Sequence, residues 1–221
     1  MKHLIVPFLI LYTFTSCKEE KVSIAELYSD DYAIKWIKLD YDSIEGMDKN
    51  YQLLELLIPK DKNKDTLFNQ TQVYINGELS KKWSQYHDLE VFETNKKHIY
   101  KAVIKMYSEY SQLKTDEFNE RKVSVFFLNY YKDSLDFKIK DFEDTDEFEI
   151  EFVNYHNDRF TGRIMKGVYR DTIFDNDEKM IKGQITKIAL SNKENTKGFF
   201  IDNDSILSRQ KFSLKEFYKN K

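Results

Sequence analysis

The chain has 221 residues, of which 33% are charged, 41% are hydrophobic and 15% are aromatic. Lysine and arginine total 35 against 38 acids, so the formal net charge is −3, and this balance argues against a nucleic-acid binder that depends on a basic face. The aromatic content argues against a disordered chain, and the single cysteine, Cys17, excludes a disulfide framework and a zinc site built from cysteines.

The first sixteen residues have the pattern of a signal peptide. Lys2 gives a positive start, and an uncharged, apolar run follows from 4 to 14. That run is too short for a transmembrane helix, which needs about 20 residues, and it fits a signal-peptide core of about 7–15 residues. Cys17 comes directly after two small residues, Thr15 and Ser16, and the chain then becomes charged. The pattern predicts a signal peptide over residues 1–16.

Small residues before a cysteine, after such a core, resemble the lipobox of bacterial lipoproteins, with Phe14 where leucine is usual. The resemblance implies cleavage before Cys17 and acyl chains, such as palmitate, on its sulfur and new amino end. Lys18 and the two acids after it resemble the export tag of surface lipoproteins in Gram-negative bacteria. We therefore expect a lipid anchor at Cys17, a tether over 17–22 and display at the outer membrane. The alternatives are the periplasmic face, an ordinary secretory signal, or a buried cysteine.

Beyond the tether the dominant period of the sequence is two. Such alternation predicts strands with one face on a core and the other in water. The polar positions are mostly charged, which suits antiparallel sheets with one solvated side. The clearest runs place apolar side chains at Val123, Val125 and Phe127, at Leu135, Phe137 and Ile139, and at Phe148, Ile150 and Phe152.

Turn signals separate these runs. Asn76-Gly77 predicts a hairpin between 72–75 and 78–83, because both central residues of such a turn need positive φ. Helices are predicted at a capping box that opens at Ser23 and at 213–219, where apolar residues have helical spacing. The stretch 98–112 carries both a helical and an alternating pattern, and its isoleucine, valine and tyrosine content favours a strand.

These patterns predict a mainly β fold, an antiparallel β-sandwich with one or two short helices. Acids cluster at 141–147 and mark a boundary after a β-sandwich domain over 23–140. Residues 141–221 then form either a second small β unit or the remaining strands of one sandwich. The part before the boundary generically resembles an immunoglobulin-like sandwich, a resemblance that specifies no ligand.

The sequence offers no catalytic or metal-binding motif, so no catalytic residue, metal ligand or cofactor is assigned. The three histidines after the leader are predicted on the surface or in loops. Both tryptophans, Trp36 and Trp83, are candidate contacts for a sugar or a protein, but filling of the core is favoured. Four acid pairs are considered as calcium ligands, but three of them fit turns better, and Asp40/Asp42 is expected on one side of a strand. The histidines are His87, His98 and His156, and the pairs are Asp40/Asp42, Asp144/Asp146, Asp175/Asp177 and Asp202/Asp204.

The function expected from the sequence is a lipid-anchored, non-enzymatic binding or accessory module of the outer membrane. Its partners would be the membrane, through Cys17, and a protein or glycan ligand, with no nucleic acid. Two alternatives stay open: a periplasmic immunity-type protein that neutralises a toxin, and a glycan hydrolase with an acid pair in a β-sandwich cleft.

Overall fold

The structure is a computed structural model, and it describes residues 29–40, 49–113, 115–116, 119–173 and 179–202. The predictions for the signal peptide, for Cys17 and its tether, and for helices at 23–26 and 213–219 lie outside these residues. The described residues form mainly strands, with one short 3-10 helix and one short α-helix, which confirms the predicted mainly β class.

Twelve strands are formed by the described residues, followed along the chain by one turn of α-helix. The 3-10 helix covers Glu109–Gln112 and the α-helix, α1, covers Phe199–Asp202. The strands are β1 (Tyr32–Asp40), β2 (Tyr51–Pro59), β3 (Leu67–Ile75), β4 (Glu78–Leu79), β5 (Tyr86–Glu93), β6 (Ile99–Tyr107), β7 (Asn119–Tyr130), β8 (Leu135–Glu143), β9 (Glu147–Val153), β10 (Thr161–Ile173), β11 (Lys179–Ser191) and β12 (Asn195–Thr196).

The strands pair into three antiparallel sheets. Sheet A has the order β12-β1-β2-β3-β4, sheet B the order β5-β6-β9, and sheet C the order β11-β10-β7-β8. An isolated bridge between Thr71 and Gln85 joins sheet A to sheet B. Strands that follow the acid cluster pair with strands that precede it: β9 with β6, β10 with β7, and β12 with β1.

The main core lies between sheets B and C. Because successive side chains of a strand point to opposite faces, alternate positions of β6, β7 and β9 meet in this layer. The predicted inward faces of β7 and β9 are confirmed, and the glutamates between the β9 core residues stay exposed. The buried set is Ala102, Ile104, Met106, Val123, Val125, Phe127, Phe148, Ile150, Phe152, Phe160, Ile164 and Leu190.

Strand β8 forms where it was predicted, but its apolar face is not in this core. Phe137 and Ile139 lie on the outer face of sheet C, and Ile139 is 55% exposed. The pairing explains the difference, because Ile139 lies opposite Phe126 on β7, whose neighbours Val125 and Phe127 face inward. Phe137 packs instead against α1, with its ring 5.8 Å from that of Phe199. The prediction that the apolar face of β8 lies on a core was therefore wrong for Phe137 and Ile139, whereas Leu135 packs against a third buried cluster.

Sheet A packs against β11 through a second, smaller core. Tyr32, Leu57 and Leu67 bury their side chains against Ala189 and Ile201. Asn69 of β3 acts here like a strand residue: its Nδ2 donates to the Ala189 carbonyl oxygen at 3.1 Å, and its Oδ1 accepts from the Ala189 amide at 2.8 Å. The side chain of Asn69 therefore supplies a main-chain-like link between two sheets.

The hairpin predicted at Asn76-Gly77 is confirmed between β3 and β4. Asn76 has a φ of 54° and Gly77 a φ of 83°, as expected for a two-residue turn of this type. The second strand is shorter than predicted, because β4 ends at Leu79 and a turn occupies 81–83. The stretch 98–112 is strand β6 up to Tyr107, as favoured, and then a 3-10 helix.

Gly162 allows β10 to approach β7, which gives a testable expectation. A Cβ at this position would lie 2.3 Å from the Phe126 carbonyl oxygen, and a main-chain atom inside a paired strand cannot move aside. We expect Gly162→Ala to lower the free energy of unfolding by about 2 kcal/mol. Gly167→Ala is the matched control, because its Cβ would meet only the Tyr169 ring at 2.9 Å. Urea unfolding of both variants tests this, and an equal loss in the two would contradict it.

Candidate functional site

The two ends of the sandwich differ in chemistry. At one end, where the described chain begins, Asp30 pairs with Arg159 at 2.8 Å and with Lys197 at 3.1 Å. At the other end, sheets B and C separate around a cavity of about 270 Å³ beside Trp83. From Thr161, which accepts a hydrogen bond from Arg159, to Lys166 the strand β10 advances five residues, or about 17 Å. We call the cavity beside Trp83 the Trp83 pocket.

The floor of the Trp83 pocket is apolar and its rim is aromatic and polar. Met106, Val168 and Ile188 form the floor, and all three are buried. Trp83 stands at the rim and is 60% exposed. The remaining lining residues are polar or aromatic: Lys82, Ser84, Gln85, Tyr107, Ser108, Glu109, Tyr110, Lys166 and Thr186.

The turn that carries Trp83 is fixed to β3 by buried Ser84. The Ser84 hydroxyl accepts from the Val73 amide at 2.9 Å and donates to the Ser80 carbonyl oxygen at 2.6 Å. The Ser80 amide donates in turn to the Val73 carbonyl oxygen at 2.8 Å. Because both ends of the turn are held, Trp83 is presented on a rigid support, which reduces the entropy lost on binding.

Two lysines of this turn lie over aromatic rings. The Nζ of Lys81 is 5.1 Å from the centroid of the Tyr107 ring, and the Nζ of Lys82 is 5.1 Å from that of Trp83. Both lysines are exposed, and neither pairs with a carboxylate of the described residues. A cation held by a ring face keeps its charge available to an anion.

A buried ion cluster forms the inner wall of the pocket. Lys166 Nζ donates to Asp146 Oδ1 at 2.6 Å and to Ser108 Oγ at 3.0 Å. Arg121 donates to Asp146 Oδ2 at 2.8 Å and to the Tyr110 carbonyl oxygen at 3.1 Å. Burial lowers the pKa of the Lys166 ammonium, and the bond to Asp146 opposes this. The two cations therefore fasten the 3-10 helix, which is the opposite wall of the pocket, to sheet C.

Sequence reasoning did not single out this cluster, although it left one signal. Lys166 occupies the buried phase of an alternating run between Ile164 and Val168, where a solvated lysine is out of place. The prediction that Trp83 and Trp36 fill the core was wrong, since Trp36 is 39% exposed and Trp83 more so. A turn of three residues displaces Trp83 from β4, and Trp36 lies in the part of β1 that pairs with β2 but not with β12.

The structure separates the three histidines. His156 is exposed in a loop, and His98 lies at a turn with its ring stacked on Tyr155 at 4.3 Å, as predicted. His87 lies in β5, and its buried Nδ1 has no hydrogen-bond partner among the described residues, so the prediction of a surface position was wrong for it. Burial lowers the pKa of His87 to about 4, which keeps the ring neutral.

The members of the acid pairs that lie within the described residues each form an ion pair with a lysine or arginine. Asp144 and Asp146 both pair with Arg121, Asp40 pairs with Lys38, and Asp202 pairs with Lys64 at 2.8 Å. No group of three or more metal-binding side chains is found in the described part of the chain. The remaining members of the acid pairs, Asp42, Asp175, Asp177 and Asp204, lie outside the described residues.

Another cavity, of about 290 Å³, lies at the Asp30 end, and every residue that lines it carries a polar group on its side chain. These side chains are engaged with one another or with the backbone: Asn154 accepts from the amides of His156 and Asn157, and Arg159 bonds Asn195. Although burial opposes it, the bonds from Arg159 and Lys197 hold the pKa of Asp30 below its usual value. This network fixes the start of the described chain to the sandwich.

Comparisons with protein-family models, with curated proteins and with solved structures each find no match to this chain. No helix among the described residues is long and apolar enough to cross a bilayer.

Proposed function

We propose that this chain is a lipoprotein anchored in the outer membrane through Cys17, and that its β-sandwich body is a non-enzymatic binding module displayed on the cell surface. The observation that carries the binding role is the Trp83 pocket, in which an exposed tryptophan on a fixed turn stands over an apolar floor. Exposed apolar surface beside a concave pocket is typical of a binding site.

The position of the pocket suits such a module. The described chain begins at Ser29, beside Asp30, and the Trp83 pocket opens at the opposite end of the sandwich. From Cys17 to Ser29 the chain advances twelve residues, which reach at most about 40 Å when extended. An anchored body on this tether can therefore present the pocket away from the lipid surface.

The same pocket favours binding over hydrolysis. Glycoside hydrolysis uses two carboxyl groups about 5–9.5 Å apart across the scissile bond. Glu109 is the one carboxyl side chain among the residues that line the Trp83 pocket, since Asp146 lies behind Lys166. A second acid facing the pocket would be needed for that chemistry.

Protease shaving of intact cells tests the proposed location at the cell surface. We expect trypsin to cleave the wild-type protein on intact cells, because exposed lysines such as Lys60 and Lys62 lie in the turn between β2 and β3. Cys17→Ala should move the protein out of the membrane fraction, since two or more acyl chains provide the anchor. A variant with alanine at Lys18, Glu19 and Glu20 is the matched control, expected to stay in the membrane but lose surface exposure.

Two results would contradict this proposal in different ways. If Cys17→Ala stays in the membrane fraction, the lipid anchor is wrong. If the wild type is cleaved only after the outer membrane is ruptured, surface display is wrong, the body lies in the periplasm, and the immunity-type alternative takes precedence.

A further inference from the structure

We propose that the Trp83 pocket binds one ring of an acidic glycan, a sugar that carries a carboxylate. This inference rests on the proposed binding function and assigns its ligand class. It combines three features of the pocket: its size, its stacking surface, and two ammonium groups beside it that pair with no described carboxylate.

Size limits the occupant to a single ring. Pockets that enclose drug-sized ligands have volumes of about 300–1,000 Å³. The Trp83 pocket, at about 270 Å³, lies just below that range. One pyranose ring fits such a space, while the neighbouring units of a chain would lie in solvent.

The walls match the two kinds of surface that a sugar ring presents. Its C–H faces are apolar and suit the Trp83 ring and the floor of Met106, Val168 and Ile188. Its hydroxyl groups need donors and acceptors, and the side chains of Gln85, Ser108 and Thr186 provide them.

Charge selects an acidic sugar over a neutral one. Lys81 and Lys82 carry ammonium groups that no described carboxylate neutralises, and Glu109 is the one acid that lines the pocket. The charge of Lys166 is already met by Asp146. A carboxylate on a ring stacked against Trp83 would lie near the Lys82 ammonium, where a charge-assisted bond can form.

An acidic peptide fits this arrangement less well. Aspartate and glutamate side chains offer a carboxylate but no flat apolar face. The apolar floor of the pocket and the Trp83 ring would then have no apolar surface of the ligand to pack against. A carboxylated sugar ring can stack on the Trp83 ring, form hydrogen bonds with the polar wall and place its carboxylate near the lysines.

The probe is a trimer of galacturonic acid, added to the mature, lipidated protein in detergent micelles. Its matched control is the same trimer with each carboxyl group reduced to a primary alcohol. Calorimetry measures affinity, and tryptophan fluorescence gives a second readout, because the chain has only two tryptophans. We expect the acidic trimer to bind at least about 10-fold more tightly than the reduced trimer, and added salt to shrink this difference.

Variants of exposed residues locate the site without disturbing the core. Trp83→Ala should weaken binding about 30-fold, as expected for a tryptophan that dominates a small interface. Lys82→Gln should weaken binding of the acidic trimer about 5-fold more than it weakens binding of the reduced trimer. Trp36→Ala is the matched control, since Trp36 is also exposed but lies on β1, and it should bind like the wild type.

Three outcomes would overturn the inference. Equal affinity for the acidic and reduced trimers would remove the carboxylate from the recognition. Binding that survives Trp83→Ala would place the site elsewhere. No binding of the acidic trimer at millimolar concentration, or binding of an oligo-aspartate peptide in its place, would exclude the acidic glycan. Surface display is judged by shaving, so its failure is separate from a failure of this inference.

Discussion

Asp146→Asn will lower the free energy of unfolding by about 3–5 kcal/mol, because it removes the anion shared by two buried cations. Lys166 and Arg121 both donate to this carboxylate, at 2.6 and 2.8 Å, and both side chains are buried. Arg121 keeps Asp144 and the Tyr110 carbonyl oxygen, but Lys166 keeps only the Ser108 hydroxyl among its described bonds. Urea unfolding at neutral pH, followed by fluorescence, measures the loss.

Asp144→Asn is the matched control for this prediction. The chemical change is identical, and Asp144 also pairs with Arg121, but its side chain is 53% exposed against 16% for Asp146. Asparagine also tolerates the positive φ of 48° at this position. We expect a much smaller loss for Asp144→Asn, because exposed ion pairs contribute little. Equal losses in the two variants would show that burial of the pair is not what stabilises this end of the sandwich.

The pH dependence of the Asp146→Asn variant provides a second check. Burial places the folded-state pKa of Lys166 below its unfolded value, so the unfolded chain binds more protons and stability rises with pH. Without Asp146 this rise should be steeper, since only the neutral amine is then tolerated in the core. The double variant Asp146→Asn/Lys166→Met should recover much of the loss at neutral pH, and a failure to recover would contradict the role of an unpaired lysine.

Glu55→Leu will lower the free energy of unfolding by about 2–4 kcal/mol, because it removes one hydrogen-bond acceptor from each of two buried side-chain amides. Glu55 Oε2 accepts from Asn69 Nδ2 at 2.6 Å and from Gln70 Nε2 at 2.9 Å, and all three residues are buried. Asn69 also carries the link between β3 and Ala189 of β11. The loss should therefore appear as weakened packing of sheet A on sheet C, which hydrogen exchange at β2 and β3 can measure.

Glu55→Gln is the conservative counterpart, because its amide oxygen can still accept both bonds. Burial raises the pKa of Glu55 above its usual 4.5, although the bonds from Asn69 and Gln70 oppose this. The stabilisation linked to this raised pKa is present below pH 4.5 and is lost as pH rises through the folded-state pKa. The Glu55→Gln variant should lack this pH-dependent loss, and identical pH profiles for wild type and variant would contradict it.

How much the sequence predicted depends on whether a feature is local. The strand positions of β7, β8 and β9 follow from alternation, and the turn at Asn76-Gly77 follows from residues that accept positive φ. These properties belong to a few consecutive residues, so no tertiary information is needed. The proposed anchor at Cys17 likewise rests on a short pattern in the printed sequence.

Which face of a strand is buried was decided by the tertiary structure. Alternation predicts two faces, but Phe137 and Ile139 of β8 lie outside sheet C because their pairing with β7 sets the direction of each face. Trp83 has a large apolar side chain of the kind that usually fills a core, but a turn fixed by Ser84 places this side chain in solvent. Lys166, Asp146 and Ser108 are far apart in sequence, and only the pairing of β10 with β7, opposite sheet B, brings them together.

The sequence by itself determined the mainly β class, the strands β7, β8 and β9 and the main hairpin, because hydrophobic period and turn preference act over a few residues. The tertiary structure decided the pairing of strands across the acid cluster, the exposed position of Trp83 and the Lys166–Asp146 pair beside the pocket. The physical reason is that burial and ion pairing depend on which segments, distant in sequence, come into contact. Strand pairing determines these contacts, and no local sequence pattern encodes it.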